Sequence, residues 1–206
     1  VIRDRIAECD ARNSRPVVGP EFIVIHKTSL RVGGTDNPSP ISDEDLDGVG
    51  LVRTFAAQSA SPPNGLGTSG LCPYHLLVRA DGVVEQMLPL SVRGAHAREH
   101  NSKSWAVAYV GERPTTHQVR ALVRTCTALV LASVLVGGKP ARIVGHTSLP
   151  GASRDPGKVC PHESLDLRKL EGDVLARLAA IDQWRTDRDH VATLVRAEGL
   201  SLGGVA

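Results

Sequence analysis

The chain is poor in aromatic residues, with two Trp, two Tyr and two Phe among 206 residues. Surfaces that stack nucleobases draw on several aromatics, so this scarcity argues against such a module. An excess of charge of one sign is missing too. The 24 Lys and Arg stand against 22 Asp and Glu, a net of +2, which argues against a nucleic-acid binder with a basic stripe. No run of 18 apolar residues occurs, and the longest, Ala128 to Val136, is interrupted by Ser133, so no membrane span is expected. The opening Val1-Ile2-Arg3-Asp4 does not read as a secretory signal. The four cysteines form no CxxC pair, which argues against a Cys-rich zinc module. Cys126 falls on an apolar helix face and reads as a small buried hydrophobe, whereas Cys72 and Cys160 each adjoin a proline and are the pair to suspect of a disulfide.

What remains suits one domain of moderate size with a short appendage. Residues 1–20 read as a helical lead-in ending in a Pro/Gly loop, 21–185 as the main domain, and 186–206 as a short helical tail. Strands are expected at Phe22 to His26, His75 to Arg79, Val83 to Leu88, Trp105 to Val110 and Ile143-Val144. Asp81-Gly82 marks the turn of a hairpin. Helices are expected over 42–59, where Ser42 and Asp45 make a capping box, over 116–136, where Gly137-Gly138 follows, and over 164–184 and 187–197. Loops rich in Pro and Gly occupy 31–40 and 61–70. Alternating strands and helices with one hairpin predict an α/β fold, a mixed central β-sheet flanked by helices on both faces.

Two histidines stand at strand ends, each beside a hydroxyl residue: Ile23-Val24-Ile25-His26-Lys27-Thr28 and Ile143-Val144-Gly145-His146-Thr147. Apolar runs bury their strands and deliver the following polar residue to a sheet edge. Asp155, nine positions after His146, would complete a metal site with an open position, as catalytic zinc requires. Asp155 in Asp-Pro-Gly also reads as a turn residue, and Cys160, fourteen after His146, is a rival third ligand.

Four segments in order resemble the zinc-dependent N-acetylmuramoyl-L-alanine amidases of amidase type 2, which include peptidoglycan recognition proteins, phage endolysins and cell-wall recycling amidases. They are the His26 strand; Tyr74-His75-Leu76-Leu77-Val78 with Asp81-Gly82 and Gln86; Gly94-Ala95-His96-Ala97 followed by Asn101-Ser102-Lys103-Ser104; and Val144-Gly145-His146 followed by Asp155-Pro156-Gly157. The resemblance implies a Zn2+ ion on His26, His146 and Asp155. It implies a tyrosine near the metal at Tyr74, which also reads as a core tyrosine, and a groove-lining histidine at His96. Asn101-Ser102 reads equally as a substrate contact or as a turn. His75, on the opposite strand face from Tyr74, reads as structural, and His100, His117, His162 and His190 as solvated.

Two departures stand out. Ala108 occupies the place of a glutamate in recycling amidases, which recognition proteins also lack, and Ser153 that of a lysine two residues before the third ligand. The adjacent Arg154 supplies a positive charge that could stabilise developing negative charge. The activity implied is hydrolysis of the amide between N-acetylmuramic acid and L-Ala of the stem peptide, by a monomer whose partner is peptidoglycan, in a phage lysin or secreted cell-wall enzyme. The alternatives are a non-catalytic peptidoglycan-binding module and a phage structural protein.

Overall fold

A computed structural model describes residues 2–9, 15–28, 72–152, 159–181 and 188–200. The helix expected over 42–59 and the loops at 31–40 and 61–70 lie outside them. The elements are β1 (Ile2–Asp4), α1 (Ile6–Cys9), β2 (Phe22–Thr28), β3 (Leu76–Val78), β4 (Val84–Gln86), β5 (Ser104–Val110), α2 (Thr116–Gly137), β6 (Arg142–Gly145), α3 (Leu167–Ala179) and α4 (Arg188–Ala197). Short 3-10 turns at Asn101–Lys103 and His146–Ser148 precede β5 and follow β6. The strands form one sheet in the order β1-β4-β3-β5-β2-β6. β3 and β4 pair antiparallel as the Asp81-Gly82 hairpin, and the other neighbours pair parallel. The α/β class and the mixed sheet thus stand as expected.

β2 and β5 lie inside the sheet, and all seven residues of β5 are buried. That burial on both faces explains their nearly continuous apolar runs. The period of two sorts their side chains. Ile23, Ile25, Trp105, Val107 and Tyr109 join the core beneath the helices, while Phe22, Val24, Ala106, Ala108 and Val110 join smaller clusters on the other face. Among the described residues, α2 packs against both α3 and α4, and all three contribute to that main core.

Ile2, early in the chain, and Val191, Val195 and Leu200, late in it, join the same core. The start of the lead-in is a strand rather than a helix, because Ile2–Asp4 finds a parallel partner in β4. Sheet pairing there outweighs local preference.

α2 begins with a capping box. Thr115 Oγ1 accepts from Gln118 N at 3.1 Å, and Gln118 Oε1 accepts from Thr115 N at 2.8 Å. Gln118 Nε2 also donates to the carbonyls of Val78 and Val110, pinning the helix to the ends of β3 and β5. Gly138, at φ 71°, closes the helix. By length and composition alone α2 is apolar enough to cross a membrane, although it holds no run of 18 apolar residues. Much of its surface is buried between the sheet, α3 and α4, so Ala128, Leu129 and Leu131 are buried as well as Leu122, Cys126 and Val130.

His75 is fully buried and knits three segments together. Its Nδ1 accepts from Ala106 N at 3.0 Å and its Nε2 donates to Val92 O at 2.8 Å. Desolvation outweighs the Val92 bond and lowers its pKa to about 4. The folded state therefore excludes a proton that the unfolded chain takes up near pH 6.5. The stability contributed by neutral His75 is complete above that value and is lost as pH falls towards 4, about 3 kcal/mol in all. Urea denaturation of wild type and His75→Gln at pH 7.5 and 4.5 checks this. The wild type is expected to lose more stability on acidification than the variant, and equal losses would remove His75 as the cause.

Candidate metal centre

β6 runs beside β2 at the edge of the sheet, with Gly145 opposite Ile25. The residue following each of these is a histidine, so His26 and His146 emerge side by side, their rings 4.7 Å apart. Both are buried, at 2% and 5% exposure. Gly145 is dictated by close approach: a Cβ there would lie 2.8 Å from Pro161 Cδ and 3.1 Å from Leu167 Cδ1. That contact lays the Cys160-Pro161 segment against the end of β6.

Cys160 is then held from two sides. Its carbonyl accepts from Thr147 N and from Thr147 Oγ1, both at 3.0 Å. Two residues on, His162 N donates to Tyr109 Oη at 3.0 Å. The thiol, 1% exposed, lies 3.8 Å from His26 Nδ1. One ligand atom from each of His26, His146 and Cys160 falls within 4.8 Å of the others.

Two imidazoles and a thiol suit zinc, which binds nitrogen and sulfur tetrahedrally and keeps one position open in catalytic sites. Ligands at zinc distances stand about 3.3–3.8 Å apart on a tetrahedron, so the His26–Cys160 separation already fits. The outward ring nitrogens fit as well. His146 Nε2 lies 3.0 Å from Ala152 O and His26 Nε2 lies 3.1 Å from His96 Nδ1, the outer partners that orient ligating histidines.

Asp155, Arg154 and Ser153 lie outside the described residues, so among the residues described it is Cys160 that joins the two histidines. Tyr74 packs on the same face, its ring 5.0 Å from that of His26. Burial first, then Cys160 and Cys72, push its phenol above the usual tyrosine range, which keeps it an O–H donor. His96 is half-buried between His26 and Ser104, and burial, with His75 and His146 nearby, holds its pKa well below the usual value. Asn101 Oδ1 accepts from His96 N at 2.9 Å and Ala97 N at 2.8 Å, so it shapes the loop that carries His96. Ala108 pairs with His26 across β2 and β5 and is fully buried beside Tyr74, Leu77 and Met87.

Cys72 and Cys160 do not form the suspected disulfide. Cys72 Sγ turns to the Tyr74 carbonyl at 3.2 Å, while Cys160 faces His26. His100 is not simply solvated: its ring nitrogen donates to Pro150 O at 2.9 Å and its carbonyl accepts from Ser104. The supporting roles of Thr147, Tyr109 and Ser104 have no local signature in the sequence, since each depends on a partner brought up by the fold.

The α/β domain gathers two imidazoles from adjacent parallel strands and a thiol into a group that could hold a single metal ion. The chain belongs to the amidase type 2 family, described as N-acetylmuramoyl-L-alanine amidase, whose profile matches residues 13–163. No curated protein matches the chain significantly in sequence. Among solved structures, the chain is similar to the N-acetylmuramoyl-L-alanine amidase LysC from Clostridium intestinale, with 18% identity, a TM-score of 0.50, and coverage of 85% of this chain and 97% of that one. An endolysin of a Thermus scotoductus bacteriophage gives 21% identity, a TM-score of 0.52, and 84% and 99% coverage. Drosophila peptidoglycan recognition protein SA gives 16%, 0.54, and 83% and 90%. At these identities the likeness is one of fold.

Proposed function

We propose that this protein is a zinc-dependent N-acetylmuramoyl-L-alanine amidase that hydrolyses the amide between the lactyl group of N-acetylmuramic acid and L-Ala of the stem peptide. The observation that carries the reading is the convergence of His26, His146 and Cys160 at the strand ends of an amidase type 2 fold. These three residues would hold the ion, with Asp155 the alternative third ligand. Bound there, zinc would supply Lewis acidity towards the amide carbonyl and lower the pKa of water.

The chain's own residues have the remaining tasks. Two neutral imidazoles and one thiolate leave a net positive charge at the centre. Tyr74, kept protonated by its surroundings, donates a hydrogen bond to the amide oxygen as negative charge develops. Arg154, next to Asp155 in the sequence, would contribute positive charge and cannot act as a base. His96 and Asn101 shape the wall of the groove that receives the muramyl peptide. A phage lysin or secreted cell-wall enzyme, acting as a monomer on peptidoglycan, fits this reading.

A second reading is favoured by one feature: Ala108, apolar and buried, puts no carboxylate beside His26 on β5. A peptidoglycan-binding domain without turnover is consistent with that face. The test is release of L-Ala amino groups from purified peptidoglycan, with zinc content measured on the same sample. About one zinc per chain and release abolished by chelator are expected. Retention on peptidoglycan without release would give the second reading the site.

A further inference from the structure

Behind the His26 ring, opposite the side that faces Cys160, lies a run of polar contacts ending at a main-chain carbonyl. Ser104 Oγ donates to His100 O at 2.7 Å. His96 Nε2 lies 3.3 Å from Ser104 Oγ, and His96 Nδ1 lies 3.1 Å from His26 Nε2. The direction of this chain follows from its end. A carbonyl only accepts, so the single hydroxyl hydrogen of Ser104 points to His100 O. The serine oxygen must then accept from His96 Nε2–H. A neutral imidazole carries one N–H, which leaves His96 Nδ1 as an acceptor and makes His26 Nε2 the donor. His26 Nδ1 is then a lone pair, and it is this nitrogen that lies 3.8 Å from Cys160 Sγ.

We infer that His96 and Ser104 form a polarised relay, set by the His100 carbonyl, that holds His26 in its Nε2–H tautomer with the Nδ1 lone pair directed into the metal site. His96 is thus a positioning residue for His26. His146 obtains the same service from one bond, Nε2–H to Ala152 O. His26 sits further inside the sheet and, among the described residues, reaches the His100 carbonyl through two side chains. The surroundings hold the relay in place. Asn101 Oδ1 binds the amides of His96 and Ala97. Gly94 passes so close to Pro73 that a Cβ would lie 2.4 Å from Pro73 O and 3.1 Å from His96 Cδ2. The consequence for zinc rests on the metal-centre reading, whereas the tautomer is a property of the chain alone.

Nitrogen-15 imidazole spectra of the metal-free protein read the tautomer directly. Wild-type His26 is expected as Nε2–H, His96→Ala as a mixture of both tautomers, and Ser104→Ala as an intermediate case. His96→Asn, whose Oδ1 stands where Nδ1 stood, is expected to restore Nε2–H. Zinc titration of the same proteins is expected to show affinity falling roughly 10–100-fold in His96→Ala and recovering in His96→Asn, the effect of an outer-shell partner. Thermal unfolding of the metal-free variants controls for loss of fold. An Nδ1–H tautomer in wild-type His26 overturns the relay, as does His96→Ala with unaltered tautomer and zinc affinity and a raised KM, which would make His96 a substrate contact. A wild type that binds no zinc while its His26 tautomer responds to His96 upholds the relay and defeats the metal-centre reading.

Discussion

Cys160→Ser is expected to take the protein from about one zinc per chain to nearly none and to reduce amide hydrolysis to background. The thiol is 1% exposed, 3.8 Å from His26 Nδ1, and clamped through its carbonyl by two bonds from Thr147. A serine hydroxyl is shorter and far less acidic than a thiol, so it replaces neither the reach nor the charge of a thiolate. The loss should exceed the roughly 10–100-fold produced by removing an outer-shell partner. Asp155→Ala is the control, and it should keep its zinc. Elemental analysis of the two variants decides between them: zinc retained in Cys160→Ser and lost in Asp155→Ala would give the third ligand position to Asp155.

Tyr74→Phe is expected to lower kcat about a hundredfold while KM, zinc content and thermal stability change little, the size of effect that follows loss of one donor to a developing oxyanion. The ring lies 5.0 Å from His26 and is shielded among Cys72, Leu77, Met87 and Ala108, so the phenylalanine retains the packing and removes only the hydroxyl. Steady-state rates on a muramyl peptide check this. Wild-type turnover in the variant would return Tyr74 to the role of a core tyrosine.

Neighbouring residues alone determined the parts of the protein that depend on periodicity and local chemistry. The apolar runs before His26 and around Trp105 predicted two of the interior strands. The Asp81-Gly82 turn predicted the hairpin, and a helical period ending at Gly137-Gly138 predicted α2. Both histidines were legible for the same reason: an apolar strand followed by a polar residue carries its own exit point. The order of four motifs carried the family. Only the tertiary structure decided how these pieces meet. Parallel pairing of Ile25 with Gly145 puts the two histidines side by side although they are far apart in the chain. Packing of Pro161 on Gly145, with the Thr147 clamp, brings the thiol of Cys160 to His26, and the carbonyl of His100 sets the direction of the Ser104–His96–His26 relay. The physical reason is one of range. Strand and helix signals arise between residues a few positions apart, whereas a ligand set and its outer partners are fixed by register, close approach and hydrogen-bond direction between segments that meet only when the sheet has formed.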